Sequence, residues 1–75
     1  MLQAWQVRKS LDKQLAEFLR HKRGEMTYAQ FSRKTGLPLS SIFRLENGEQ
    51  SITLGRLEAV LKKLKCKLSD VFAEE

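Results

Sequence analysis

The sequence predicts an all-α fold of five short helices. Three observations carry that expectation. Apolar residues recur at spacings of three and four in successive segments, hydroxyl residues (Ser10, Thr27, Thr53) stand ahead of three of them, and glycines (Gly24, Gly36, Gly48) follow three of them. At 75 residues the chain reads as a single domain spanning 1–75, near the lower size limit at which an apolar core alone holds a fold. Each core position therefore carries weight.

Ser10 is a good N-cap, and Asp12 places a carboxylate in the first turn, where the helix dipole favours it. Leu11, Leu15, Phe18 and Leu19 then trace one apolar stripe, predicting a first helix that ends near Lys22, ahead of Gly24. The preceding M-L-Q-A-W-Q-V-R-K, residues 1–9, is an N-terminal extension. Leu2, Trp5 and Val7 have helical spacing in it, which fits either a longer first helix or a separately packed segment.

The stretch from Thr27 to Gly48 is the most informative. The Thr27 hydroxyl can accept from a first-turn amide while Gln30, three residues on, reaches back, which is a capping box. Ala29, Phe31, Ser32 and Thr35 supply small or apolar side chains at helical spacing, until Gly36 offers the left-handed conformation of a sharp turn. Pro38 fixes a backbone angle suited to the first turn of a new helix. Ile42 and Leu45 share its inner face above Leu37, and Ser40, Ser41, Phe43 and Arg44 are left on the other face for a partner. Asn47 and Gly48 end it, both residue types that accept left-handed geometry.

Beyond a polar loop, Thr53 caps a fourth helix with Leu54, Leu57, Val60, Leu61 and Leu64 on its stripe and Arg56, Lys62 and Lys63 on its wet side. Leu68, Val71 and Phe72 predict a short fifth helix, frayed by Ala73 and the terminal glutamates. Leu2, Trp5, Val71 and Phe72 fall outside the central pattern, so they either close the core ends or form an interface.

Fourteen Lys and Arg oppose nine Asp and Glu, a net charge of +5 and a pI near 9.7, which suits an anionic partner. The excess gathers at Arg8, Lys9, Lys13, Arg20, Lys22, Arg23, Arg33 and Lys34, and again at Lys62, Lys63, Lys65 and Lys67. The one cysteine, Cys66, excludes an intramolecular disulfide and a thiolate metal cluster, and fits a reducing cytoplasm. No apolar run approaches membrane-spanning length, and the first residues do not read as a signal peptide. The one histidine, His21, and Cys66 have no supporting constellation for catalysis, so neither an enzyme nor a cofactor is expected.

The segment T-Y-A-Q-F-S-R-K-T-G-L-P-L-S-S-I-F-R-L-E-N-G is similar to the helix-turn-helix of the Cro and lambda-repressor-like (XRE) family. Ser32 stands at the small position of the first helix, Gly36 at the turn, Ile42 and Leu45 at the buried pair, and Leu-Glu-Asn-Gly at the family's ending. With its flanking helices the likeness covers Leu11 to Phe72, and it implies a five-helix lambda-repressor-like DNA-binding domain with the helix-turn-helix at 27–47.

The resemblance further implies sequence-specific binding of double-stranded DNA by the third helix in the major groove, in a transcriptional regulator. Leu39, Ser40, Phe43 and Arg44 take the positions facing base edges, with Arg44 suited to paired bonds with guanine and Leu39 and Phe43 to thymine methyls. Phe43 equally suits a partly buried place in the core. Thr27, Tyr28, Arg33, Lys34, Ser41, Asn47 and Gln50 are the phosphate candidates. Tyr28 stands where the family commonly has glutamine, and either donates to phosphate or packs against the third helix. Glu49 is an acid in a loop where relatives often carry a base. Arg20, with His21 as its competitor, is the expected partner of Glu46 in a pair tying the first helix to the end of the third. Lys65 occupies a position where the family usually has glycine; a left-handed lysine would be strained by about 1 kcal/mol, so a different turn is expected there. A homodimer is expected because one short helix reads too few base pairs. The alternative is an antitoxin resembling the HipB and HigA types, whose principal partner is a toxin protein.

Overall fold

The computed structural model describes residues 10–72, and the described residues form helices joined by turns and short loops, with no strand among them. The elements are α1 (Leu11–Arg23), α2 (Tyr28–Thr35), α3 (Leu39–Glu46), α4 (Leu54–Leu64) and α5 (Leu68–Val71). The expectations for Leu2, Trp5 and Val7, and for fraying at Ala73, lie outside these residues.

The predicted caps are formed. Ser10 Oγ accepts from the Lys13 amide at 3.2 Å, and Thr53 Oγ1 from the Arg56 amide at 3.2 Å. At α2 both halves of the box are present: Thr27 Oγ1 accepts from the Gln30 amide at 3.1 Å, and Gln30 Oε1 from the Thr27 amide at 2.9 Å. At α5 the cap comes from inside, where Asp70 Oδ2 accepts from the Lys67 amide at 2.7 Å.

α1 crosses α3 and α5, while α2 packs between α3 and α4. The space they enclose is filled by Leu15, Phe18, Leu19, Phe31, Leu37, Ile42, Leu45, Leu57, Val60 and Leu61, all buried. Three members of the expected apolar sets are not core: Leu11 is 63% exposed, Leu54 81% and Leu68 54%. Each is the first residue of its helix, and helical side chains lean toward the N-terminus, so all three point off the end of the packed layer. Val71 is buried and Phe72 packs against the core, so both close its end.

Three local details differ from expectation. α1 runs one residue further than Lys22, to Arg23, before Gly24 takes φ 54°. Asn47 stays at φ −100°, leaving the left-handed step after α3 to Gly48 at φ 69°. Lys65 does take the left-handed conformation, φ 59° and ψ 45°, the one non-glycine with positive φ among the described residues. The turn after α4 thus keeps the glycine-type geometry without the glycine. The Cys66 amide reaching back to the Leu61 carbonyl at 2.9 Å, and the burial of Val71 beyond it, hold the lysine there.

Candidate nucleic-acid interface

A helix of eight residues has little stability of its own, so whatever α3 presents is presented because its neighbours hold it. The turn before it is fixed by four devices. Gly36 is left-handed at φ 81°. Thr35, itself buried, donates its hydroxyl to the Phe31 carbonyl at 2.8 Å and accepts from the Leu37 amide at 3.2 Å. Ser32 donates to the Leu37 carbonyl. The Lys63 side chain lies across the turn so closely that a Cβ on Gly36 would sit 3.3 Å from its Cε. Pro38 then serves as the N-cap itself, one position earlier than expected, in extended conformation and with its carbonyl accepting from the amides of Ser41 and Ile42.

The inner face of α3 is sealed: Ile42 is fully buried, Leu45 nearly so, and Glu46 is a carboxylate at 2% exposure. A charge in that position requires a partner. It has a bidentate one in Arg23, whose Nε donates to Oε2 at 2.7 Å and whose second nitrogen donates to Oε1 at 3.0 Å. That hydrogen-bonded carboxylate raises the Arg23 pKa above its ordinary value, against the opposing effect of burial. The expected pairing is therefore corrected. Arg20 does reach the end of α3, but its Nε donates to the Glu46 backbone carbonyl at 3.1 Å, and the carboxylate belongs to Arg23. The one extra residue of α1 brings Arg23 into the helix, about one turn beyond Arg20 on the same face, where it reaches the carboxylate. His21 is exposed and takes neither role.

The outer face holds Leu39, Ser40, Phe43 and Arg44 together, at helical spacing i, i+1, i+4 and i+5, and all four are exposed. Leu39 and Phe43 are each 50% exposed and lie side by side one helical turn apart. Glu46 points inward to Arg23, so its carboxylate does not engage Arg44. Phe43 is neither wholly core nor wholly free: its ring meets that of Tyr28 edge-to-face, centroids 6.1 Å apart and planes at 81°. Arg23 in turn covers the Tyr28 ring, its guanidinium carbon 4.4 Å from the centroid.

The phosphate candidates fall into two groups around this face. At the head of α2, the box engages the amides of Thr27 and Gln30, leaving those of Tyr28 and Ala29 as the donors that the helix itself does not use. The Thr27 hydroxyl, accepting from Gln30, keeps its own proton for donation. Arg33 and Lys34 are exposed in the last turn of the same helix. Past α3, Asn47 turns its amide back onto the Phe43 carbonyl at 2.8 Å, so it caps its own helix. Ser41 and Gln50 are half-buried and share a shallow groove with Arg56. Sequence reasoning set Arg56 merely on the wet side of α4, because nothing in local spacing links it to Ser41 fifteen positions earlier.

This geometry, two helices around a glycine turn with a sealed inner face and an open outer one, coincides with what comparison with protein families finds. A helix-turn-helix family model matches residues 19–71, well over half of the chain. The chain belongs to that family, of the Cro and XRE-like type, a family of DNA-binding transcription regulators. Comparison with the curated proteins finds no match. No described helix is long and apolar enough to cross a membrane.

Proposed function

We propose that the protein binds double-stranded DNA sequence-specifically, inserting α3 into the major groove, and regulates transcription as a homodimer. The observation that carries the proposal is the pairing of a locked inner face, Ile42, Leu45 and Glu46, with an outer face that leaves Leu39, Ser40, Phe43 and Arg44 exposed. A helix of eight residues is about 12 Å long, which fits a major groove about 12 Å wide and spans three or four base-pair steps. Arg44 donates to guanine, and Leu39 and Phe43 supply apolar contact to thymine methyls. Thr27, Tyr28, Arg33, Lys34, Ser41 and Gln50 set the register on phosphates, Arg56 joins Ser41 and Gln50 in that task, and Asn47 acts mainly through its cap.

Three or four base pairs are too few for useful selectivity, so a second copy is needed to read a half-site about 34 Å away. Leu54 and Leu68, 81% and 54% exposed, flank an apolar groove between α4 and α5 that no α3 residue lines, and we assign that groove to the second copy. Selection of bound duplexes from a random library tests the proposal: a two-fold symmetric consensus supports it, and recovery of no enriched sequence refutes it.

A further inference from the structure

We propose that Tyr28 is a positioning residue for base recognition, bracing Phe43 so that the α3 face reads a thymine methyl; the inference rests on the DNA-binding role of α3. Phe43 is half-exposed, and a single aromatic side chain on a helix surface exchanges rotamers freely unless something holds it. Here something does. The Tyr28 ring meets it edge-to-face at 6.1 Å, the preferred aromatic geometry. Tyr28 is itself held from the other side, because the Arg23 guanidinium lies 4.4 Å from its centroid. Arg23 cannot swing away, since two of its nitrogens bond the buried Glu46 carboxylate and the third donates to the Met26 carbonyl at 3.1 Å. A continuous line of contact thus runs from the sealed end of α3, through α1, to the first residue of α2 and back to the outer face of α3.

Positioning matters for a methyl reader in particular. An arginine bonding guanine aims itself by hydrogen-bond direction, whereas an apolar contact has no direction and gains only what the ring's fixed place supplies. The brace also places the phenol of Tyr28 near the reading face, so two uses of this residue must be told apart. A phosphate donor needs the hydroxyl; a brace needs only the ring.

The test uses the full chain and a duplex selected by it from a random library, compared with copies in which each thymine in turn is replaced by deoxyuridine. Wild type should lose about fourfold in affinity at one thymine of each half-site, the worth of one buried methyl-sized group. Phe43→Ala should abolish that difference. Tyr28→Gln should reduce it below twofold and Tyr28→Phe should keep it; Tyr28→Leu, which retains apolar volume without an aromatic ring and serves where the glutamine variant fails to fold, should also reduce it below twofold. The brace is overturned if no thymine is sensitive, if Phe43→Ala keeps the sensitivity, or if Tyr28→Leu does. A uniform loss for Tyr28→Phe at every site, with the thymine ratio kept in Tyr28→Leu, identifies a phosphate donor instead. A library yielding no enriched sequence overturns the DNA-binding role and this inference with it.

Discussion

Removing Arg23 should cost the fold more than removing the acid it bonds. The two side chains differ in burial: Glu46 is 3% exposed and Arg23 22%. Arg23→Met keeps the aliphatic volume but leaves a sealed carboxylate with only Arg20 nearby, bonded to the adjacent carbonyl. Breaking a buried pair in this way costs about 3 to 5 kcal/mol, and the closeness of Arg20 puts the expected value near about 3. Glu46→Gln leaves an amide oxygen for Arg23 to bond and a guanidinium that water reaches, so it should cost about 1 to 2 kcal/mol. A chain of this size is stable by roughly 4 to 11 kcal/mol in all, so the methionine variant should sit visibly near its limit. Urea unfolding followed by circular dichroism measures both, with wild type and the double variant completing the cycle. Since Glu46 raises the Arg23 pKa, the guanidinium's contribution is present throughout the range below the ordinary arginine value and is lost only above it. The Arg23→Met penalty should therefore not change between neutral and mildly alkaline buffer. Equal losses for the two single variants, or a larger one for Glu46→Gln, would refute the picture of a buried acid dependent on Arg23.

Lys65→Gly should stabilise the domain by about 1 kcal/mol, raising the melting temperature by roughly 4 to 8 °C, because φ 59° strains a lysine and not a glycine; a lower melting temperature would mean the lysine side chain contributes more than the strain costs. Arg44→Ala should relax selectivity at one base position, at about 1 to 3 kcal/mol against the preferred base, as read by competition with point-substituted duplexes. Lys34→Ala should weaken all duplexes alike and reduce the slope of log affinity against log salt by about 0.9, the signature of one lost phosphate contact. Leu68→Lys should shift sedimentation toward monomer with melting little changed; an unaltered dimer would remove the α4–α5 groove as its interface.

Helix positions and caps were legible because they are local. Thr27 and Gln30 are three residues apart, and their reciprocal bonds follow from that spacing whatever surrounds them. The inner face of α3 was legible for the same reason, Ile42 and Leu45 being fixed by helical period alone. Leu11 and Leu54 were misplaced because periodicity assigns a face but not an end: a first-turn residue can be in phase with the core and lie beyond it. The partner of Glu46 was set by how far α1 runs before Gly24 turns, and a one-residue difference in that end moves the basic side chain that arrives. Arg23 carried no local mark, having been counted among eight basic residues of the first half. Lys65 was a different kind of miss. A different turn was expected there, but Lys65 adopts the left-handed conformation, with Val71 buried and Phe72 packed against the core beyond the turn.

The same internal contacts that fix α3 also restrict how the protein can adapt to DNA. α3 has two turns, an N-cap without a side-chain bond, and no acidic residue in its first turn, so its intrinsic helical preference is weak. Its order comes from the Thr35 and Ser32 bonds at one end, Arg20 and Arg23 at the other, and Ile42 and Leu45 between. Arg23 is thereby neutralised by Glu46, and on the proposed reading the positive charge toward DNA comes from Arg33, Lys34, Arg44 and Arg56, all exposed. Substitutions at Arg23 or Glu46 should then lower DNA affinity without altering the salt slope, because they change the fraction of molecules with α3 in place and remove no phosphate contact. Lys34→Ala should do the opposite, changing the slope without changing stability. That separation can be measured on one duplex with two salt series, and a changed slope for Glu46→Gln would mean that the α1–α3 tie is itself part of the DNA surface.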